Sequence, residues 1–196
     1  SVHKMISQGF SFRDAYSHGG AAEYYTTHGS GYRNPHEREL CLVLEEFLKR
    51  HSNTLDFSEK ILDLACGSGE VTSFLLSQAK ELSIFQPLNI DACDPYTGEA
   101  YLQRIGRNCS AASFEDIEGG ELFGSIYGLC IVSFALHLVQ PSRLHNTCMQ
   151  LALVSRYLFV ISPHKKPIIT SDMGFNIVDE FIVERVHGRF YKSSFL

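Results

Sequence analysis

Ile61-Leu-Asp-Leu-Ala-Cys-Gly-Ser-Gly-Glu70 is a short apolar run carrying one carboxylate; it ends in a Gly-Ser-Gly turn and passes at once into a helical pattern. A strand this short and apolar is read as buried on both faces of a sheet. Gly67 and Gly69 leave the backbone bare enough for a ligand to approach, and the following helix aims its first unpaired N–H groups at that point. Asp63 lies inside the strand, placed to accept hydrogen bonds from the loop.

Outward from this stretch, strand patterns at 60–65, 88–94, 110–114, 128–134 and 157–162 alternate with helical patterns near 70–80, 98–105 and 142–155. That alternation predicts right-handed crossovers and a doubly wound, mostly parallel α/β sheet covered on both faces. Upstream, Asn34 as N-cap, Pro35 at the first helical position and Glu37 three residues on predict a capped helix, with Leu40, Val43, Leu44, Phe47 and Leu48 on its apolar face. Downstream, 175–184 and 189–195 read as an antiparallel hairpin turning at His187-Gly188. Two units are expected: an N-terminal lid or leader over 1–33, rich in aromatic residues, and a catalytic domain over 34–196.

The spacing Asp-x-x-x-Gly-x-Gly over 63–69 resembles motif I of the class I S-adenosylmethionine (SAM)-dependent methyltransferases. The resemblance implies a seven-stranded sheet of order 3-2-1-4-5-7-6 closed by a C-terminal antiparallel hairpin, with SAM as cofactor. One departure is visible. Only about a dozen residues, 163–174, separate the fifth strand from the hairpin, so the helix usual at that place must be reduced or absent. A dinucleotide is the weaker reading, because Thr72 stands where Gly-x-Gly-x-x-Gly requires its third glycine.

Each candidate cofactor residue falls at a strand end, where doubly wound sheets bind ligands. Asp63, Ala65, Gly67 and Gly69 form the loop that the resemblance assigns to the methionine part of SAM. Asp94, followed by Pro95, stands where a carboxylate accepts the ribose hydroxyls, with Asp91 as its rival. After the third strand pattern, the resemblance implies an acidic acceptor for the adenine amino group: Asp116 first, Glu115 close behind. Ser133 and Phe134 end the fourth strand pattern, where the methyl group is expected, and His137 beside them is the one candidate proton acceptor. An ordinary hydrogen-bonded histidine is the plain alternative.

For the methyl acceptor, Tyr25, His28, Tyr32 and Arg33 lie before the first helix, His164 follows the fifth strand pattern, and Arg189 lies in the hairpin. The runs Ser162-Pro-His164-Lys165-Lys166-Pro167 and Arg185–Lys192 make a local basic patch able to hold an anionic substrate or RNA; a solvated edge is the plain alternative. The net charge of −5, from 17 basic and 22 acidic side chains in 196 residues, argues against bulk attraction to nucleic acid. The six cysteines lie mostly in apolar runs without Cys-x-x-Cys spacing, and the nine histidines lack His-x-x-x-His spacing, so neither a disulfide frame nor a metal site is expected. No apolar run reaches the roughly 18 residues of a membrane span, and the expected location is cytoplasmic or nuclear. The reading is a SAM-dependent methyltransferase, with a small-molecule acceptor favoured over RNA or protein. A noncatalytic SAM-binding subunit is the alternative of another class.

Overall fold

Successive residues along a strand face opposite sides of its sheet, and here each side has its own helical cover. The computed structural model describes residues 31–81 and 87–196. Its strands are β1 (Ile61–Leu64), β2 (Ile90–Cys93), β3 (Tyr127–Ser133), β4 (Ser155–Ser162), β5 (Phe175–Val183) and β6 (Val186–Ser193). Its helices are α1 (Glu37–His51), α2 (Glu70–Glu81), α3 (Gly98–Ile105), α4 (Phe114–Glu118) and α5 (Pro141–Val154). The six strands lie in the order β2-β1-β3-β4-β6-β5. β1 runs parallel to β2 and β3, and β3 parallel to β4, while β6 runs antiparallel to both β4 and β5.

On one face α1 and α2 bury Ile61, Leu129, Ile131 and Phe159. Phe47 of α1 stacks on Phe159 at 3.9 Å between ring centroids and meets Phe190 edge-on at 5.0 Å. On the other face α5 and α4 cover Leu62, Cys130, Val132 and Leu158. All six cysteines are free thiols, four of them buried. Among the described residues no helix is long and apolar enough to cross a membrane.

The fold class is the expected one, with three local corrections. The run 110–114 forms no strand; Ser110 makes a single parallel bridge to Cys93, so the sheet has six strands where seven were expected. The cause is capping chemistry: Ser113 and Asp116 close a reciprocal capping box that draws Phe114 into α4. Removing that outermost strand from the expected order leaves the observed one. The hairpin turns at Glu184-Arg185, whose φ values of 46° and 68° are both positive as a tight hairpin turn requires, and His187 and Gly188 lie inside β6. Gly188 is needed in the strand because an added Cβ would lie 2.9 Å from the Phe159 ring and 3.0 Å from Phe181.

Residues 163–174 hold only a 3₁₀ turn, Ser171–Met173, in agreement with the short spacing. Helix α1 begins at Glu37, and Asn34 shapes its approach by accepting a 2.8 Å bond from the His36 N–H. Glu37 does not complete the capping box; its carboxylate pairs with Arg104, and the Asn34 N–H donates instead to Glu70 at 3.0 Å. The start of α1 is thereby tied to the start of α2.

Candidate functional site

After β2 the chain crosses back over β1 to form β3, so strand order reverses between β1 and β3, and a cavity of about 680 Å³ opens there at the carboxyl ends of the strands. Such a volume accommodates a cofactor-sized ligand. Ala65 directly follows β1 and Phe134 directly follows β3; both line the cavity, and both have φ of 54°. Non-glycine residues held in the left-handed region cost of order 1–3 kcal/mol each and collect at ligand sites.

The glycine loop is fixed from below and from both sides. Beneath it Asp63, fully buried, accepts from the Thr72 N–H at 3.2 Å and the Thr72 hydroxyl at 2.6 Å. Thr72 therefore has a structural task at the position where a dinucleotide fold has glycine. The second oxygen of Asp63 is buried without a partner. Burial drives the Asp63 pKa up to about 8 against those Thr72 bonds, with the nearby charges of Glu70 and Asp94 adding to the rise.

A native-state pKa above the unfolded value means the folded chain holds the proton more tightly, so this stabilisation is complete below an unfolded pKa of about 3.9 and is lost as pH climbs toward 8. The melting temperature is expected to fall between about pH 4 and pH 8, and Asp63→Asn to flatten that dependence. A variant with the wild-type slope would remove Asp63 as its source.

On one flank Glu70 accepts from the Ser68 hydroxyl at 2.5 Å as well as from the Asn34 N–H, with Arg104 at 3.8 Å. On the other flank Asp94 accepts from the Gly67 N–H at 3.2 Å, the Tyr96 N–H at 2.8 Å and the Thr97 N–H at 3.2 Å. Burial raises the Asp94 pKa, opposed by those same N–H bonds. Gly67 has φ of 58°, and a Cβ there would lie 2.8 Å from the Tyr32 ring, which covers the loop. Gly69 faces away from the cavity, against Ile105 and Tyr101. The rival Asp91 is engaged elsewhere, accepting from the Tyr127 hydroxyl at 2.8 Å and lying 3.6 Å from Lys60.

Of the residues expected from sequence, Tyr32, Ala65, Gly67, Asp94, Pro95, Glu115, Ser133 and Phe134 line the cavity. Asp116 does not: its carboxylate accepts from the Ser113 N–H and hydroxyl, both at 2.9 Å, and caps α4. Arg33 lies outside the lining, 3.8 Å from Glu37. Tyr25 and His28 fall outside the described residues, as does most of the expected unit 1–33.

His137 also lies off the cavity wall. Its neighbours Ala135 and Leu138 line the cavity, while its own ring meets His164 edge-on at 5.6 Å. Burial, with His164 adding, lowers its pKa to about 4, which makes it a weak base. For the methyl transfer that the motif I resemblance implies, His137→Gln is expected to cost less than roughly tenfold, below the usual contribution of a general base. A loss of a hundredfold or more would restore His137 as the base.

Sequence reading missed Tyr96, Phe114, Glu118, Leu138, Gln140, Arg143 and Thr147. Arg143, near the start of α5, pairs with Glu115 at 2.7 Å and Glu118 at 3.5 Å, joining α5 to α4 across the cavity rim. Helix α5 reads as an ordinary amphipathic segment, and no local signal distinguishes Arg143 within it. Pro95, Tyr96 and Phe114 supply flat apolar surface beside carboxylates, an arrangement suited to a polar heteroaromatic group.

No family model matches the chain. It is similar to an uncharacterized protein of Schizosaccharomyces pombe, with 36% identity over 240 residues, covering 98% of this chain and 96% of that protein. Among solved structures it resembles an O-methyltransferase family protein from Burkholderia thailandensis, with a TM-score of 0.58 and 14% identity over 95% of this chain; the chain spans only 64% of that protein. The magnesium protoporphyrin IX methyltransferase of Synechocystis, solved with bound SAM, superposes with a TM-score of 0.53 and 16% identity, covering 92% of this chain and 93% of that one. An N-methyltransferase from Bradyrhizobium japonicum, in complex with S-adenosyl-L-homocysteine (SAH), gives a TM-score of 0.54 and 13% identity, covering 82% and 89%.

Proposed function

Because this chain belongs to one family with the fission-yeast protein and has the class I methyltransferase fold, we propose that it binds SAM in the cavity between β1 and β3 and transfers the methyl group to a small-molecule acceptor. One observation carries the reading: at the strand-order switch the bare Gly67 backbone and the Asp94 carboxylate meet at 3.2 Å, with both residues lining the same cavity.

The residues divide the work by their chemistry. Gly67 and Ala65 present backbone to the amino-acid end of the cofactor. Asp94, oriented by three N–H groups, retains on Oδ2 an acceptor site for a ribose hydroxyl. Pro95 and Phe114 flank the adenine, and Glu115 replaces Asp116 as acceptor for its amino group. Bound SAM would supply a methyl group on a sulfonium, to which an acceptor nucleophile would bond in line as the C–S bond breaks and SAH leaves as the neutral thioether. Ser133, Phe134 and Ala135 then position the acceptor, and Tyr32 over Gly67 keeps water from the loop. Placement off the cavity removes His137 from this set; that observation favours the second reading, a noncatalytic SAM-binding subunit.

The test is transfer of tritium from methyl-labelled SAM into fractionated lysate. Label in small molecules is the expected result. Label in protein or RNA would replace the acceptor class, and a persistent blank with intact SAM binding would establish the noncatalytic reading.

A further inference from the structure

The β5–β6 hairpin carries a buried cation with an unanswered donor. Arg189 is 6% exposed. Its Nε donates to Glu180 at 3.1 Å, its Nη2 lies 3.4 Å from His187 Nδ1, and its Nη1 is buried without a partner. Guanidinium groups only donate, so His187 Nδ1 must accept, which leaves the His187 proton on Nε2 as a second donor. A buried donor left unsatisfied is costly, and Glu180, with its side chain 54% exposed, answers only one edge of the fork.

Neighbouring elements add charge of the same sign. His187 lies opposite Ser162 at the end of β4, and Arg189 opposite Val160. Ser162 pins the loop after β4: its hydroxyl donates to the Lys166 carbonyl at 2.7 Å and accepts from the His164 N–H at 3.2 Å. Burial lowers the His187 pKa, and Arg189, Lys165 and His164 add to the fall while Glu180 opposes it, so the loop after β4 lies within electrostatic reach of the hairpin. Among the described residues no group of three or more His, Cys, Asp and Glu is arranged to hold a metal ion. The unpartnered Nη1 of Arg189 and the nearby Lys165 charge favour an acceptor of negative charge.

Its location links it to the cavity. The turn Leu136–Leu138 presents Leu138 to the cavity and His137 to His164, so one turn of chain separates the methyl end of the site from the cluster.

We propose that Arg189, His187, His164 and Lys165 form an oxyanion subsite, and that the methyl acceptor carries a carboxylate or phosphate group received there. The assignment rests on the methyltransferase reading above.

The experiment begins with the wild-type protein saturated with SAH and titrated with inorganic phosphate at constant ionic strength, following the imidazole NMR signals of His187 and His164. Saturable shifts that chloride does not reproduce are expected, and Arg189→Met should abolish them. SAH binding with no saturable shift overturns the subsite alone, whereas failure of the protein to bind SAH overturns the underlying reading. Because Arg189 is buried, the exposed variant Lys165→Ser provides a second arm, expected to weaken phosphate binding severalfold; an unchanged affinity counts against the cluster.

The source of the anion is separated by the tritium assay. Labelled product should be retained on an anion exchanger, and phosphate should compete with the acceptor fraction. Label that flows through the exchanger, label in RNA, or phosphate that shifts the rings without slowing transfer would each overturn the acceptor assignment.

Discussion

A Gly69→Ala chain is expected to melt roughly 5–15 °C below the wild type and to lose much of its SAH affinity. Two costs add. Gly69 has φ of 89°, a conformation costing an L-residue about 1–2 kcal/mol. Its added Cβ would also lie 2.6 Å from Ile105 Cγ1 and 3.1 Å from Tyr101 Cδ2. Relieving that overlap means moving α3 or the loop, at about 1–3 kcal/mol for an overpacked site. The sum is about 2–5 kcal/mol, a large part of the stability of a single domain. The loop carries Gly67 and leads into Glu70, so its displacement reaches the cavity. Thermal melting with and without SAH checks both effects; a variant with wild-type melting and affinity would show that Ile105 yields without cost.

Replacing Asp94 with alanine is expected to weaken SAH binding by about 100-fold or more. A hydrogen bond to an ionised acceptor contributes about 1.5–3 kcal/mol, and 1.4 kcal/mol is tenfold in affinity. The same substitution leaves the Gly67, Tyr96 and Thr97 N–H groups without their acceptor, so the loop loses its shape as well as its ligand contact. Asp94→Asn keeps one carbonyl oxygen and should fall between the two. Asp91→Asn is the control, since Asp91 is held by Tyr127 and Lys60 away from the cavity, and its SAH affinity should stay within about twofold. Titration calorimetry reads all three. Equal affinities for Asp94→Ala and wild type would remove the ribose assignment.

The legible parts of this fold were those whose signal is local and repeated. The helix of 98–105 and the alternation that builds the parallel sheet follow from periodicity, and the glycine loop follows from backbone freedom. Asp94 was legible because its position is tied to a strand end at a set distance from that loop. Failures came where side-chain capping or tertiary packing decided the outcome. Phe114 belongs to a helix because Ser113 and Asp116 cap each other, and this same bond takes Asp116 out of the cavity. Gly188 looked like a turn but is small to admit two phenylalanine rings. Arg143 reaches the site only because α5 packs beside α4, a relation that no nearby spacing encodes.

Glu70 is a different case. As the first residue of α2 it reads as a favourable charge for the helix dipole, yet it joins Asn34, Ser68 and Arg104 into one support for the loop. The sequence carries all four residues, but their meeting depends on α1 and α3 converging on the end of β1.

The central claim is that the cavity at the end of β1 is a SAM site. Isothermal titration of the full chain with SAH, repeated with SAM, tests it most directly. One-to-one binding of both, at micromolar dissociation constants or tighter, is the predicted result. Absence of binding by either ligand, from a chain that melts cooperatively, would contradict it.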